Sequence, residues 1–241
     1  MSTPVFEFDE SLQRALVVVA HPDDVDFGAA GTVATLTQHG VHVAYCMVTS
    51  GDAGGDGSKH SKAERAAIRE SEQTAAAREV GVTTVHFLHF ADGEVEPTLA
   101  LRRAISRVIR IERPDVVITQ SPERNWERIY ASHPDHLAAG EATMRAIYPD
   151  SRNPHYFPDE LSDVEPHTVP EVWVMAQPAT MVVDITDAFD RKVAALRQHV
   201  SQVGERDGLE EMLRTWTAGT AADNGLAEGR LAEGFRRINT K

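Results

Sequence analysis

Ala15-Leu16-Val17-Val18-Val19-Ala20 runs straight into His21-Pro22-Asp23-Asp24-Val25-Asp26-Phe27-Gly28, and this junction decides the fold. Six apolar residues in a row, without polar alternation, read as a strand buried on both faces of a parallel sheet. The residues after it make the first turn from strand to helix. No G-x-G-x-x-G or G-x-x-x-x-G-K-[ST] phosphate loop stands there; a histidine and three carboxylates do. Like charges crowded at a strand end cost stability unless a cation or hydrogen bonds compensate. A set of solvated acids at a helix N-terminus explains the segment equally well when it is taken alone.

Outward from this junction, strand and helix signals alternate. Ala29 to His39 reads as a helix closed by Gly40, Val41 to Thr49 as a strand, and Lys62 to Val80 as a helix closed by Gly81. Thr84 to His89 is a strand, Leu99 to Glu112 a helix, and Val116 to Gln120 a strand after the breaker Arg113-Pro114-Asp115. This order predicts an α/β fold, a Rossmann-like and mostly parallel sheet with helices on both faces. Right-handed crossovers then put ligands at the carboxyl ends of the strands. Further on, the segment 148–170 carries prolines at 149, 154, 158, 166 and 170 and reads as a long loop, either lid, oligomer contact or rigid connector. Glu171 to Met175 and Met181 to Ile185 read as strands and Ala188 to Val203 as a helix. The tail from Leu209 to Lys241 reads as mostly helical, broken by glycines. No repeat or domain boundary divides residues 1–241, so a single domain is expected.

Composition narrows the function classes. Lys and Arg number 24 and Asp and Glu 37, a formal charge of −13, which argues against nucleic acid or an anionic membrane as partner. No apolar stretch approaches the roughly 20 residues of a membrane span. The one cysteine, Cys46, lies in an apolar run and gives no sign of an oxidising compartment. The N-terminus lacks a signal-peptide pattern, so a cytoplasmic location is expected.

A second unusual cluster, Ser132-His133-Pro134-Asp135-His136, follows the fourth strand and opens a helix through Tyr148. Ser132 and Asp135 have capping-box spacing, and Pro134 suits a first helical turn. His133 and His136, three apart, share a helix face. Two such clusters at the carboxyl ends of two strands point to a metal site. Imidazole and carboxylate donors without thiolate suit zinc, with other divalent ions as alternatives. A catalytic zinc keeps three protein ligands and one open position. The candidates exceed three, leaving a carboxylate for general-base work and a histidine for acid or oxyanion work. Spacing alone does not distribute those roles.

The segments Ala20-His21-Pro22-Asp23-Asp24 and His133-Pro134-Asp135-His136 resemble the two signature motifs of the PIG-L/LmbE family of zinc de-N-acetylases. Thr49 to Gly55, Ile68 to Glu72 and His199 to Gln202 are similar to further family segments, so the resemblance runs roughly from Ala15 to Phe235. It implies that His21, Asp24 and His136 bind zinc and that Asp23 is the general base. It also implies that His133 is the acid or oxyanion-stabilising group with Asp135 orienting it, and that Arg69 contacts substrate or the catalytic carboxylate. The implied substrate is a small N-acylated molecule, an amino sugar or its conjugate. An amidase for thiol conjugates, another acyl hydrolase and a non-enzymatic nucleotide-binding module are the alternatives, and a homo-oligomer stays open.

Two departures from the family pattern stand out. Val25 and Asp26 follow the first motif where glutamate is usual, and Tyr130 lies one residue before the position, Ala131, where some members carry tyrosine. Other residues have ordinary readings. His86 and His89 are expected to be structural, His199 to pack within a helix, and Trp126 either to meet a sugar ring or to pack beneath its loop.

Overall fold

The structure is a computed structural model that describes residues 3–54, 59–127, 129, 132–203 and 206–241. Tyr130 and Ala131 lie outside the described residues, as do Arg128 and the glycines at 55 and 57.

The chain alternates as its pattern predicts. The first strand β1 (Arg14–Val19) is followed by two short helices, α1 (Asp24–Gly28) and α2 (Ala30–Gln38), and by β2 (His42–Thr49). Then come α3 (Lys62–Glu79), β3 (Thr84–Phe90), α4 (Leu99–Glu112), β4 (Val116–Gln120) and α5 (Pro134–Arg145). The last elements are β5 (Glu171–Met175), β6 (Met181–Asp184), α6 (Phe189–Arg197), α7 (Leu209–Asp223) and β7 (Ala232–Asn239). All seven strands form one sheet in the order β3-β2-β1-β4-β5-β7-β6. The strands from β3 to β5 are parallel neighbours, whereas β7 runs antiparallel to both β5 and β6.

This strand order positions the site. The chain leaves β1 towards β2 and β3 on one side, then returns to lay β4 and β5 on the other. The crevice at such a reversal, beyond the carboxyl ends of β1 and β4, is where open α/β sheets bind ligands. Both motif segments leave the sheet at that crevice.

Alternation along β1 explains how the sheet is covered on both faces. Val17 and Val19 join the cluster that includes Tyr45, Met47 and Leu36, and Leu16 and Val18 join Cys46, Ile105 and Ala139 on the other face. All these side chains are buried. Because both faces are dry, the strand shows no polar alternation.

Three expectations are corrected. The tail is not mostly helical: after α7 it becomes β7, whose pairing with β5 and β6 is long-range and leaves no local signal. The helix of the second motif is capped by His133 rather than Ser132, whose hydroxyl accepts the Asn125 N–H at 2.7 Å. Trp126 does not pack beneath its loop; it is 82% exposed.

The proline-containing segment is strapped to α4 by that helix's arginines. Arg102 grips the buried Asp150 carboxylate through two hydrogen bonds of 2.8 and 2.9 Å. Arg110 donates to the carbonyls of Asp150, Ser151 and Asn153, and Arg103 pairs with Glu160. Bidentate and multiple charge-assisted contacts of this kind tie the start of the segment to α4. Among the described residues, no helix is long and apolar enough to cross a membrane.

Candidate metal centre

The first motif sits where β1 stops, and the second opens α5, the helix that follows β4. His21 follows β1 by two residues, with the polar turn Pro22-Asp23 between it and α1. Asp23 is the N-cap of that helix and has φ 83° and ψ −24°, a left-handed conformation that side chains rarely adopt. Such strain persists only where surroundings enforce it, and functional sites are its usual place. Here the enforcement is visible. Gln73 Oε1 accepts the Asp23 N–H at 2.8 Å, and the Asp23 carbonyl accepts from Asp26 and Phe27.

Three donor groups converge in front of this turn. His21 Nδ1 lies 3.3 Å from His136 Nε2 and 3.2 Å from Asp24 Oδ2, and His136 Nε2 lies 3.0 Å from Asp24 Oδ1. Ligand atoms around a tetrahedral zinc, each about 2.0–2.1 Å from the ion, stand about 3.3 Å apart. The triad therefore fits a divalent cation in spacing and in donor chemistry. His133 extends the group, its ring offering a nitrogen within 4.8 Å of those of His21 and His136.

The other edge of His21 explains which nitrogen is free. Its Nε2 faces Asp135 Oδ2 and Asp92 Oδ1, both at 3.1 Å. Carboxylates only accept, so Nε2 carries the proton and Nδ1 keeps its lone pair for an ion. The carboxylates are themselves held. Asp135 accepts from the backbone N–H groups of Gly93 and Val95, and Asp92 from that of Ala53. Burial opposes a charge on His21, yet the hydrogen bonds to Asp135, Asp24 and Asp92 prevail and raise its pKa to about 11. Burial likewise resists ionisation of Asp92, and the His21 hydrogen bond with the Ala53 N–H overrides it, bringing that carboxyl down to about 2. Without an ion, this ring of acids holds a positive charge on His21.

Asp135 thus takes a place that spacing did not show. Its carboxylate does not orient His133; it orients His21. Its backbone N–H donates to His133 Nδ1 at 3.2 Å instead. Since that nitrogen accepts, a neutral His133 carries its proton on Nε2. Burial, then the charge on His21, lowers its pKa, which keeps the ring neutral. Burial and the neighbouring Asp24 raise the Asp23 pKa, while Arg69 opposes them.

Arg69 is buried, not displayed to solvent. It donates to the carbonyls of Gly51 and Pro22 at 2.9 and 2.7 Å and to Asp23 Oδ2 at 3.1 Å. Of its two implied partners, the structure has it on the carboxylate. Behind the turn, Asp26 Oδ2 accepts from Gln73 at 2.9 Å and from His199 Nε2 at 2.8 Å. His199 lies beyond the end of α6 and is buried against Asp26.

Asp92 and Gln73 are the members that sequence reasoning missed. Asp92 had a signal: an Asp-Gly turn just past a strand's carboxyl end, like the two motifs. Gln73 had none, being one polar residue on a polar helix.

Comparisons with known proteins point the same way. Residues 16–147 match the family model PIG-L, described as GlcNAc-PI de-N-acetylase. The chain is 32% identical over 229 residues to diacetylchitobiose deacetylase of Thermococcus kodakarensis, covering 94% of this chain and 84% of that protein. It is 33% identical over 195 residues to a probable N-acetyl-α-D-glucosaminyl L-malate deacetylase of Bacillus cereus, covering 79% and 84%. Among solved structures, the N,N′-diacetylchitobiose deacetylase of Pyrococcus horikoshii superposes with a TM-score of 0.86 at 29% identity, covering 95% of this chain and 85% of that one. With more than half of its length matched and both motif segments inside the match, the chain belongs to the PIG-L family of de-N-acetylases.

Proposed function

We propose that this chain is a zinc-dependent deacetylase that removes the acetyl group from an N-acetylglucosamine-containing small molecule, working as one domain. The observation that carries the reading is the mutual approach of His21 Nδ1, the two Asp24 carboxylate oxygens and His136 Nε2 at 3.0 to 3.3 Å, with Asp23 near enough for the Asp24 charge to raise its pKa. The relatives' names supply the substrate class, since several are deacetylases of N-acetylglucosaminyl compounds.

In this reading His21, Asp24 and His136 hold zinc. Zinc held there supplies Lewis-acid polarisation of the acyl carbonyl and lowers the pKa of water towards neutrality. Asp23 takes the proton of the attacking water. Its raised pKa suits both halves of the task, accepting that proton and passing it to the departing amine. Arg69 anchors the Asp23 carboxylate so that one oxygen stays directed. His133, neutral and protonated on Nε2, donates to the oxygen on which charge develops. Asp135 and Asp92 fix the ring plane and tautomer of His21.

The test is acetate release from N-acetylglucosamine, N,N′-diacetylchitobiose and N-acetylglucosaminyl malate, before and after dialysis against a chelator. Release that disappears on chelation and returns with zinc supports the reading. Release from none of the three, or release indifferent to chelation, refutes it.

A further inference from the structure

The register between β2 and β3 slips near the carboxyl ends of these strands. Met47 faces Phe87, but Thr49 faces Phe90, so Leu88 and His89 together oppose Val48. This is a bulge, and His89 takes the left-handed conformation there, with φ 57°. Glycine is the residue that suits such a position. A histidine there, strained and with its side chain 65% exposed, calls for a reason beyond packing.

Its surroundings supply one. The Ser50 hydroxyl donates to Glu70 Oε1 at 2.5 Å. His89 Nδ1 lies 3.2 Å from that same carboxylate oxygen and 3.2 Å from Ser50 Oγ. The serine's only proton is already committed to Glu70, so His89 Nδ1 must donate. In the tautomer with that proton on Nδ1, Nε2 is an acceptor. Among the described residues, Nε2 of His89 and Oε2 of Glu70 have no hydrogen-bond partner.

The cluster is joined along the chain to the metal centre on three segments. Ser50 precedes Gly51, whose carbonyl accepts from Arg69; Glu70 follows Arg69; and His89 stands three residues before Asp92, which meets His21. None of the three takes part in the chemistry described above.

We propose that His89 and Glu70 form a recognition subsite on the rim of the active centre, binding hydroxyl groups of the sugar that carries the acyl amide. Two acceptors held by a common hydrogen-bond network match the paired O–H donors of a pyranose ring. The inference rests on the deacetylase reading for its choice of sugar, and on geometry for the subsite.

The test uses His89→Gly, because glycine fits the bulge and keeps the protein folded. Steady-state kinetics on N,N′-diacetylchitobiose should show KM raised about five- to tenfold, the loss of one hydrogen bond, with kcat within about twofold. Glu70→Gln should raise KM in the same direction. An unchanged KM in His89→Gly, or a fall in kcat alone, overturns the subsite. Calorimetric binding of the same disaccharide to Asp23→Asn, with and without His89→Gly, reads the subsite independently of turnover. A wild-type protein that releases no acetate would refute the deacetylase reading and leave this binding comparison to decide. Equal affinities, or no binding to either protein, would overturn the subsite too.

Discussion

Gln73 holds Asp23 from behind, its side-chain oxygen accepting the Asp23 backbone N–H at 2.8 Å while its amide nitrogen donates to Asp26. That contact braces a left-handed residue whose carboxylate is held by Arg69 and which directly precedes Asp24, one of the proposed metal ligands. Gln73→Leu keeps the size and removes the brace. It should lower kcat about 10- to 100-fold, as expected when a catalytic group is displaced by a fraction of an ångström. Metal content should stay at the wild-type value. Wild-type kcat in a folded variant would separate the brace from catalysis.

Asp23→Asn keeps the shape of the side chain and removes its basicity. Turnover should fall by about 10²- to 10⁴-fold, the usual contribution of a positioned base. Zinc content, measured on the same preparation, should be unchanged, since Asp23 lies outside the triad.

Gly51 has φ 67°, and a Cβ built on it would stand 2.2 Å from Arg69 Nη1. Gly51→Ala must therefore push the guanidinium away from both the Gly51 carbonyl and Asp23. The backbone term alone costs about 1–2 kcal/mol. The variant should melt at a lower temperature and turn over more slowly; wild-type values for both would show that Arg69 has room to move.

Glu112 tests the fold at the far end of the sheet. The hydrogen bond from His86 at 2.9 Å lowers its pKa, burial opposes this, and His42 adds to the lowering. A carboxyl with a depressed folded-state pKa contributes stability that is complete above its ordinary value of 4.5 and lost as pH falls through the folded-state value. Glu112→Gln should cost about 1–2 kcal/mol at neutral pH. Thermal unfolding from pH 7 to pH 3 should show the two proteins converging at the acid end. A gap that stays constant with pH would contradict the assignment.

Much of this molecule is legible in its sequence. The strands ending at Val19 and Gln120 announce themselves because both faces are dry, and the residues just past them are too polar for ordinary turns. Those rules brought His21, Asp24, His133 and His136 to one crevice, and the structure has them there. Three things were hidden, each non-local. The strand β7 exists only through its partners β5 and β6. The choice of His21 rather than His133 as the partner of the Asp135 carboxylate depends on ring orientations that spacing does not encode. Asp26 and His199 stand 173 residues apart, and only burial in a common space makes them a pair. Their meeting also gives Asp26 its role, as the acceptor that anchors Gln73.

The central claim is that His21, Asp24 and His136 form a metal centre, and metal content tests it most directly. Mass spectrometry of protein purified without added metal, beside His136→Ala, should find about one zinc per chain in the wild type, as a mononuclear site requires, and little in the variant. Absence of bound metal in the wild type even after zinc is offered, or undiminished zinc in His136→Ala, would contradict the account.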